Sequence, residues 1–485
     1  MSAISRRLWL AALLLVAGCV SSDPARTPPP SKTLRIGLGP WAYVSTTDEA
    51  GLTQLLANLT SETLLLSYGD GRPIPVLAEK WVTAPDGLSF RLTLRPSTFH
   101  DGTPVTSEIV RETLARRLPR VLGPAFDDIR EIRAAPDRDI VFELRRPSRF
   151  PLEALDVTVT KPGDPLSGTG PFKILSEGGD QALVASEGYP GGRPGLDRIE
   201  FKPYDSIRAA WADLLRGNVD MLYEVAPDAL DSLEPSSRVK VFTYTRHYQY
   251  LVLFNTKRQP LNDPALRRAL NAAVDRSLLV AEALRGQATP STGPVWPTNW
   301  ASPKDGPAFV YSPSPIADPG HPLVFTCLVA DPAYERLAIA LQRQLRSVGV
   351  QLNLKMDGPA ESLRRVSDGD FDLVLVEAIS APNLLRPYLF WHSKGPYNYG
   401  GFSSPSVDAA LDATRHAVDD EAYAAGVAAF QRAIVADPPA LFLAWGQRAR
   451  AVSTAFDVQV EPLRDPLATL RFWRPSTSSS ASATN

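Results

Sequence analysis

Two cysteines in 485 residues cannot build a disulfide framework, and Cys327 lies in an apolar stretch, where a thiol is buried and inert. Five histidines, His100, His247, His321, His392 and His416, form no H-E-x-x-H motif and no i, i+4 pair, so no zinc site is expected. Charge of neither sign dominates: 51 basic and 53 acidic residues leave a net charge of -2, without the basic footprint that nucleic acid requires. The N-terminal apolar run, residues 8–17, falls far short of the ~20 residues that span a bilayer. G-x-S-x-G and G-x-x-x-x-G-K-[ST] are both missing, and Gly37-Leu38-Gly39 is followed by Pro40 without the later glycine of a dinucleotide fingerprint. No cofactor is called for, and the chain reads as something other than an enzyme.

Proline is abundant instead: 45 residues, against a usual share of about 5%, suggest many fixed loops between short elements. Length and a 44% hydrophobic content suit two or three domains with real cores. Arg6 and Arg7 precede the short apolar run in the manner of an export signal, by either the general or the twin-arginine route. The run ends Leu15-Val16-Ala17-Gly18-Cys19, which resembles a bacterial lipobox. That resemblance implies removal of residues 1–18, acylation of Cys19 and anchoring by lipid to a membrane of the cell envelope, on its periplasmic or extracellular face, with residues 19–32 as a tether. Residues 476–485 form a Ser/Thr/Ala tail.

From residue 88, Leu88, Phe90, Leu92 and Leu94 alternate with polar residues, the period of a strand with one buried face. Asp101-Gly102 marks a turn, and Thr106 is placed to cap a helix whose stripe runs through Val110, Leu114 and Leu118. The same region carries Glu62, Leu64, Asp70-Gly71, Pro75, Leu77-Ala78, Trp81, Asp86-Gly87, Leu94-Arg95, Phe99, Asp101-Gly102 and Pro104-Val105-Thr106. In this order and spacing these residues resemble the family 5 extracellular solute-binding proteins. Two further stretches strengthen the resemblance: Gly168-Thr169-Gly170-Pro171-Phe172, and Phe254-Asn255-Thr256 with Pro260-Leu261-Asn262-Asp263, followed by Arg267, Arg268-Ala269-Leu270, Ala273 and Asp275-Arg276.

The resemblance implies an α/β, two-lobed, type II periplasmic-binding-protein-like fold with an extra strand-rich subdomain in the first lobe. The expected boundaries are 33–247 for the first lobe, with the insertion at about 64–165, then 248–445 for the second lobe and 446–475 for the return to the first. Patterning agrees with α/β: Asp205 is the expected cap of a helix through Ile207, Trp211 and Leu214, ended by Gly217. Asp331-Pro332 is expected to start a helix carrying Leu337, Leu341 and Leu345 between strands beginning at Leu323 and Val350, a βαβ unit.

A binding protein needs a cleft with rigid aromatic walls and a few orienting polar groups. Trp41 and Tyr43 follow the first strand, Tyr248 and Tyr250 sit at the first lobe crossing, and Trp391 and Trp445 flank the second. Glu377, Asn383 and Arg386 come just after a buried strand, and Arg386 is suited to grip a carboxylate. Peptide-binding members of the family carry a tryptophan and an amine-binding aspartate beyond this strand. Here Glu377-Ala378-Ile379-Ser380-Ala381-Pro382-Asn383 has neither in register. Either Glu377 takes over the ammonium contact, or the solute is a sugar, an opine-like compound or a chelated metal. The expected activity is capture of a small solute, peptide or peptide-like, and its delivery to an ABC permease by a monomeric receptor. An exported hydrolase, using Glu377 with Asp372, and a signalling adaptor on the same fold are the alternatives.

Overall fold

Two long strands, Val239–Phe254 and Ala440–Ser453, set the architecture. In the computed structural model, which describes residues 31–39, 51–67, 69–164, 166–177, 180–225, 227–318 and 320–476, they run antiparallel through the middle of an 11-stranded sheet. On one side the sheet continues through Met221–Leu222, Thr33–Leu38, Arg198–Pro203, Asp180–Ala185 and Phe172–Glu177. On the other it continues through Leu373–Ile379, Leu323–Val329 and Val350–Met356. The first group joins the sheet at Ala451–Val452 of the return strand, and the second pairs with residues 248–254 of the other long strand.

The pairing of the two long strands is interrupted by an irregularity. Thr245 faces Gln447 and Gln249 faces Trp445, so Arg246, His247 and Tyr248 together oppose Gly446 alone. Such a bulge breaks the ladder, bends the strand and re-aims its side chains. A Cβ at Gly446 would lie 2.9 Å from Glu377 Oε1 and 3.2 Å from Tyr250 Cε2, so only glycine fits this approach.

Residues between the first helix, Gly51–Thr60, and Phe172 build a four-stranded antiparallel sheet in the order Ala78–Thr83, Ser89–Leu94, Asp139–Leu144, Ile129–Ala135. The helix Ser107–Leu122 covers it, capped by Thr106 and burying Val110, Leu114 and Leu118. The chain returns through Gly168 and Gly170, whose added Cβ atoms would lie 2.1 Å from Thr60 O and 2.7 Å from Thr60 C. The insertion is anchored to the second lobe as well. Its core runs without a break into Leu384, Tyr388, Trp391 and Phe430. Asp128, fully buried, accepts from Arg146 at 2.5 Å and from Arg415 of the helix Pro405–Arg415 at 2.6 Å. Removing one partner of such a buried pair costs about 3–5 kcal/mol.

Two local expectations need correction. Ser206, not Asp205, caps the helix Ile207–Arg216: its hydroxyl accepts from the Ala209 amide at 3.2 Å. Asp331 caps the short 3-10 turn Pro332–Tyr334, and the helix Glu335–Arg346 follows without a side-chain cap. In both places an aspartate and a neighbouring turn compete for the same few amides, and periodicity does not locate the first helical residue.

Candidate functional site

A cavity of about 630 Å³ opens beside the bulge. Its walls come from the first helix (Gln54, Asn58), the turn after Met221–Leu222 (Tyr223, Glu224), the bulged strand (Tyr244 to Tyr248), Trp296, the return strand (Arg448, Arg450) and the segment carrying Arg464 and Asp465. Strand periodicity explains part of the convergence, and the bulge brings Thr245 and His247 to the same wall. Tyr244, Arg246 and Tyr248 occupy alternate positions on one long strand, and Arg448 and Arg450 occupy alternate positions on the other. Four guanidinium groups therefore line one concavity against two carboxylates, Glu224 and Asp465.

The guanidiniums differ in freedom. Arg450 is buried, donates to Asp465 at 2.6 and 3.1 Å, and lies 3.8 Å from the Tyr223 ring centre, so it is a fixed structural cation. Burial alone would raise the Asp465 carboxyl, but Arg450 outweighs it and holds the group below its ordinary value. Arg448 donates to Glu377 at 2.7 Å and to the Tyr250 hydroxyl at 2.9 Å. Burial disfavours its charge, yet Glu377 and Tyr250 more than restore it. Arg246 reaches the same Glu377 oxygen only at 3.5 Å and stacks on Tyr248 at 3.7 Å, which leaves its donors available. His247, lowered to about 4 by burial, is neutral near pH 7 and meets Trp296 edge to face at 4.9 Å. Trp296 is held by donating to Gly69 O at 2.8 Å and packs edge to face on Trp445 at 4.8 Å.

Among the residues selected from sequence, Tyr248 lines this cavity, and Trp445 backs it through Trp296. Tyr250 is buried behind it, bonded to Arg448. Glu377 is likewise behind the wall, its side chain 6% exposed and its Oε2 committed to Arg448. Asn383 does not reach the cavity: it is buried and donates to Glu153 O at 3.2 Å. Trp391 is core, edge to face with Phe442. Arg386 is half-buried and does not line the cavity. Trp41, Tyr43 and Cys19 lie outside the described residues. The paired carboxylates considered for hydrolysis are committed elsewhere: Asp372 accepts from the Thr326 amide at 2.9 Å and from Arg258 at 2.8 Å, while Glu377 serves Arg448. Glu224, Arg246, Trp296, Arg448, Arg450 and Arg464 were not selected, although the alternate spacing of Tyr244-Arg246-Tyr248 and Arg448-Arg450 carries the signal. Among the described residues no group of three or more His, Cys, Asp or Glu side chains is placed to hold a metal.

Known proteins resemble this chain in sequence and in fold. The profile of the bacterial extracellular solute-binding proteins, family 5, middle region, matches residues 72–400. The probable D,D-dipeptide-binding periplasmic protein DdpA of Escherichia coli is 27% identical over 375 residues, covering 69% of this chain and 72% of DdpA. The oligopeptide-binding protein AppA of Bacillus subtilis, solved with a nonapeptide, superposes with a TM-score of 0.76 at 20% identity, over 92% of this chain and 100% of AppA. NikZ of Campylobacter jejuni, solved with Ni(L-His), gives a TM-score of 0.76 at 21% identity, over 92% of this chain and 100% of NikZ. The chain belongs to the bacterial extracellular solute-binding proteins, family 5.

Proposed function

We propose that this protein is the extracytoplasmic receptor of an ABC importer and that it captures a small, carboxylate-bearing solute, a peptide or peptide-like compound, in the cavity at the strand crossing without altering it chemically. The observation that carries this reading is the set of four guanidiniums around one concavity, with Arg246 only loosely paired. A planar guanidinium binds a carboxylate through two parallel hydrogen bonds, and a partly enclosed site strengthens each of them. The volume, about 630 Å³, falls within the range of small-ligand sites. The relative DdpA, named for dipeptides, makes a peptide the first class to test. The lobes are taken to divide at Arg246–Tyr248 and at Gly446, where the ladder is already interrupted. Tyr248 and Trp445 serve the cavity as lining and backing, and Trp41 and Tyr43 remain candidates for its wall.

Residues 1–18 act as a lipoprotein signal in this reading, and acylated Cys19 tethers a monomer to the membrane beside its permease. Changing Cys19 to Ala should then move the protein from the membrane to the soluble fraction; unchanged fractionation refutes the anchor. Binding is tested by thermal denaturation against di- and tripeptides, sugars and metal chelates. A true solute at a hundredfold excess over its Kd stabilises the folded state by about 2.7 kcal/mol. Stabilisation by neutral sugars alone would refute the carboxylate reading.

A further inference from the structure

The carboxylates around the cavity are not equivalent. Asp465, in the wall, accepts from Arg450 and from the Leu467 amide; outside the wall, Glu461 accepts from Arg464 at 2.6 Å and Glu377 from Arg448. Glu224, in the turn after Met221–Leu222, lines the cavity but accepts no hydrogen bond and forms no ion pair with any described residue. Arg448, Arg450 and Arg246 act on it only through space, and burial pushes its carboxyl above the ordinary value. A half-buried carboxylate with no donor among the described residues is costly to keep, and it is open to a cationic donor.

On the preceding reading of the cavity, we propose that Glu224 is the ammonium-binding residue of this cleft, so that the preferred solute is a zwitterion whose carboxylate meets Arg246 and whose free amine meets the first-lobe wall. This puts the amine on the lobe opposite the Glu377 strand. It also fits the segment 377–383, which presents no acidic residue to the cavity: its one carboxylate, Glu377, lies behind the wall with Oε2 held by Arg448. An ammonium provides three donors and a full charge, which a sugar hydroxyl does not, and one carboxylate alone is too few ligands for a metal ion.

The test uses the full-length protein, a library of di- and tripeptides, and the same library N-acetylated, with affinities read by calorimetry. Wild type should bind the free-amine library at least tenfold more tightly than the acetylated one. Glu224→Gln, which keeps the shape, should erase that preference by weakening only the free-amine peptides, while Arg246→Gln should weaken both libraries. A wild type indifferent to acetylation, or a Glu224→Gln variant that keeps the preference, overturns the assignment. If wild type ignores both libraries but binds amine-free carboxylates through Arg246, the carboxylate reading stands and the zwitterion assignment fails. If it binds no carboxylate of any kind, both fail.

Discussion

Replacing Glu153 with Gln should make this protein more stable at pH 8 while changing little at pH 5. Glu153 sits on the short helix Phe150–Glu153 of the insertion, where that element meets the second lobe. Its Oε1 accepts from the Tyr423 hydroxyl at 2.6 Å and its Oε2 from the Leu385 amide at 3.0 Å. Burial lifts its carboxyl from 4.5 to about 7, and these hydrogen bonds only partly oppose the rise. Because the folded value lies above the unfolded one, the folded state holds a proton that the unfolded chain has released. The group's contribution to stability is therefore intact below about pH 4.5 and is lost as pH climbs through 7. At 1.36 kcal/mol per pKa unit, the full loss is about 3 kcal/mol. A glutamine can accept from Leu385 N through its oxygen and donate to the Tyr423 oxygen, so both partners stay satisfied without a charge to bury. Urea unfolding of both proteins at pH 5 and pH 8 measures the effect. The stability difference, variant minus wild type, should grow by about 2–3 kcal/mol between the two pH values. A difference that stays constant with pH would show that Glu153 is ionised in the folded protein at both, and the reasoning from burial would be wrong.

Three further outcomes follow from the same contacts. Arg415→Met leaves Asp128 with Arg146 as its remaining partner and strips the donor from the Tyr388 hydroxyl, and should cost about 3–5 kcal/mol in a denaturant melt. Gly446→Ala places a methyl 2.9 Å from Oε1 of Glu377, a carboxylate whose other oxygen, Oε2, is held by Arg448, and should cost about 1–3 kcal/mol and weaken solute binding together. Arg246→Gln should leave the unliganded melting temperature nearly unchanged, because its contact to Glu377 is loose, yet lower affinity for carboxylate solutes roughly tenfold or more by calorimetry.

Much of the fold was legible because it rests on short-range chemistry. Alternation marked the strand Ser89–Leu94, and Thr106 and Gly217 announced helix ends that the backbone shows. The fixed order of turn motifs from Glu62 to Thr106 pointed to the family. The site was harder to read. Aromatics near a strand end were weighted as walls, but Trp391 went to the core, where a large ring gains most from burial. Asn383 went to bridge the insertion and the second lobe, a contact with Glu153 across 230 positions that local pattern cannot reveal. Glu377 appeared free at the end of its strand because Arg448, its partner, lies 71 positions away. Glu224 stayed hidden for the opposite reason: its distinction is the lack of a partner among the described residues, which no local pattern reveals.

The most direct test of the central claim is small-angle X-ray scattering during titration with free di- and tripeptides, with the solute recovered afterwards. Closure of two lobes on an unaltered guest predicts a radius of gyration that falls to a plateau at one solute per chain, with the peptide returned intact. An unchanged radius at saturation, or a peptide returned cleaved, would contradict it.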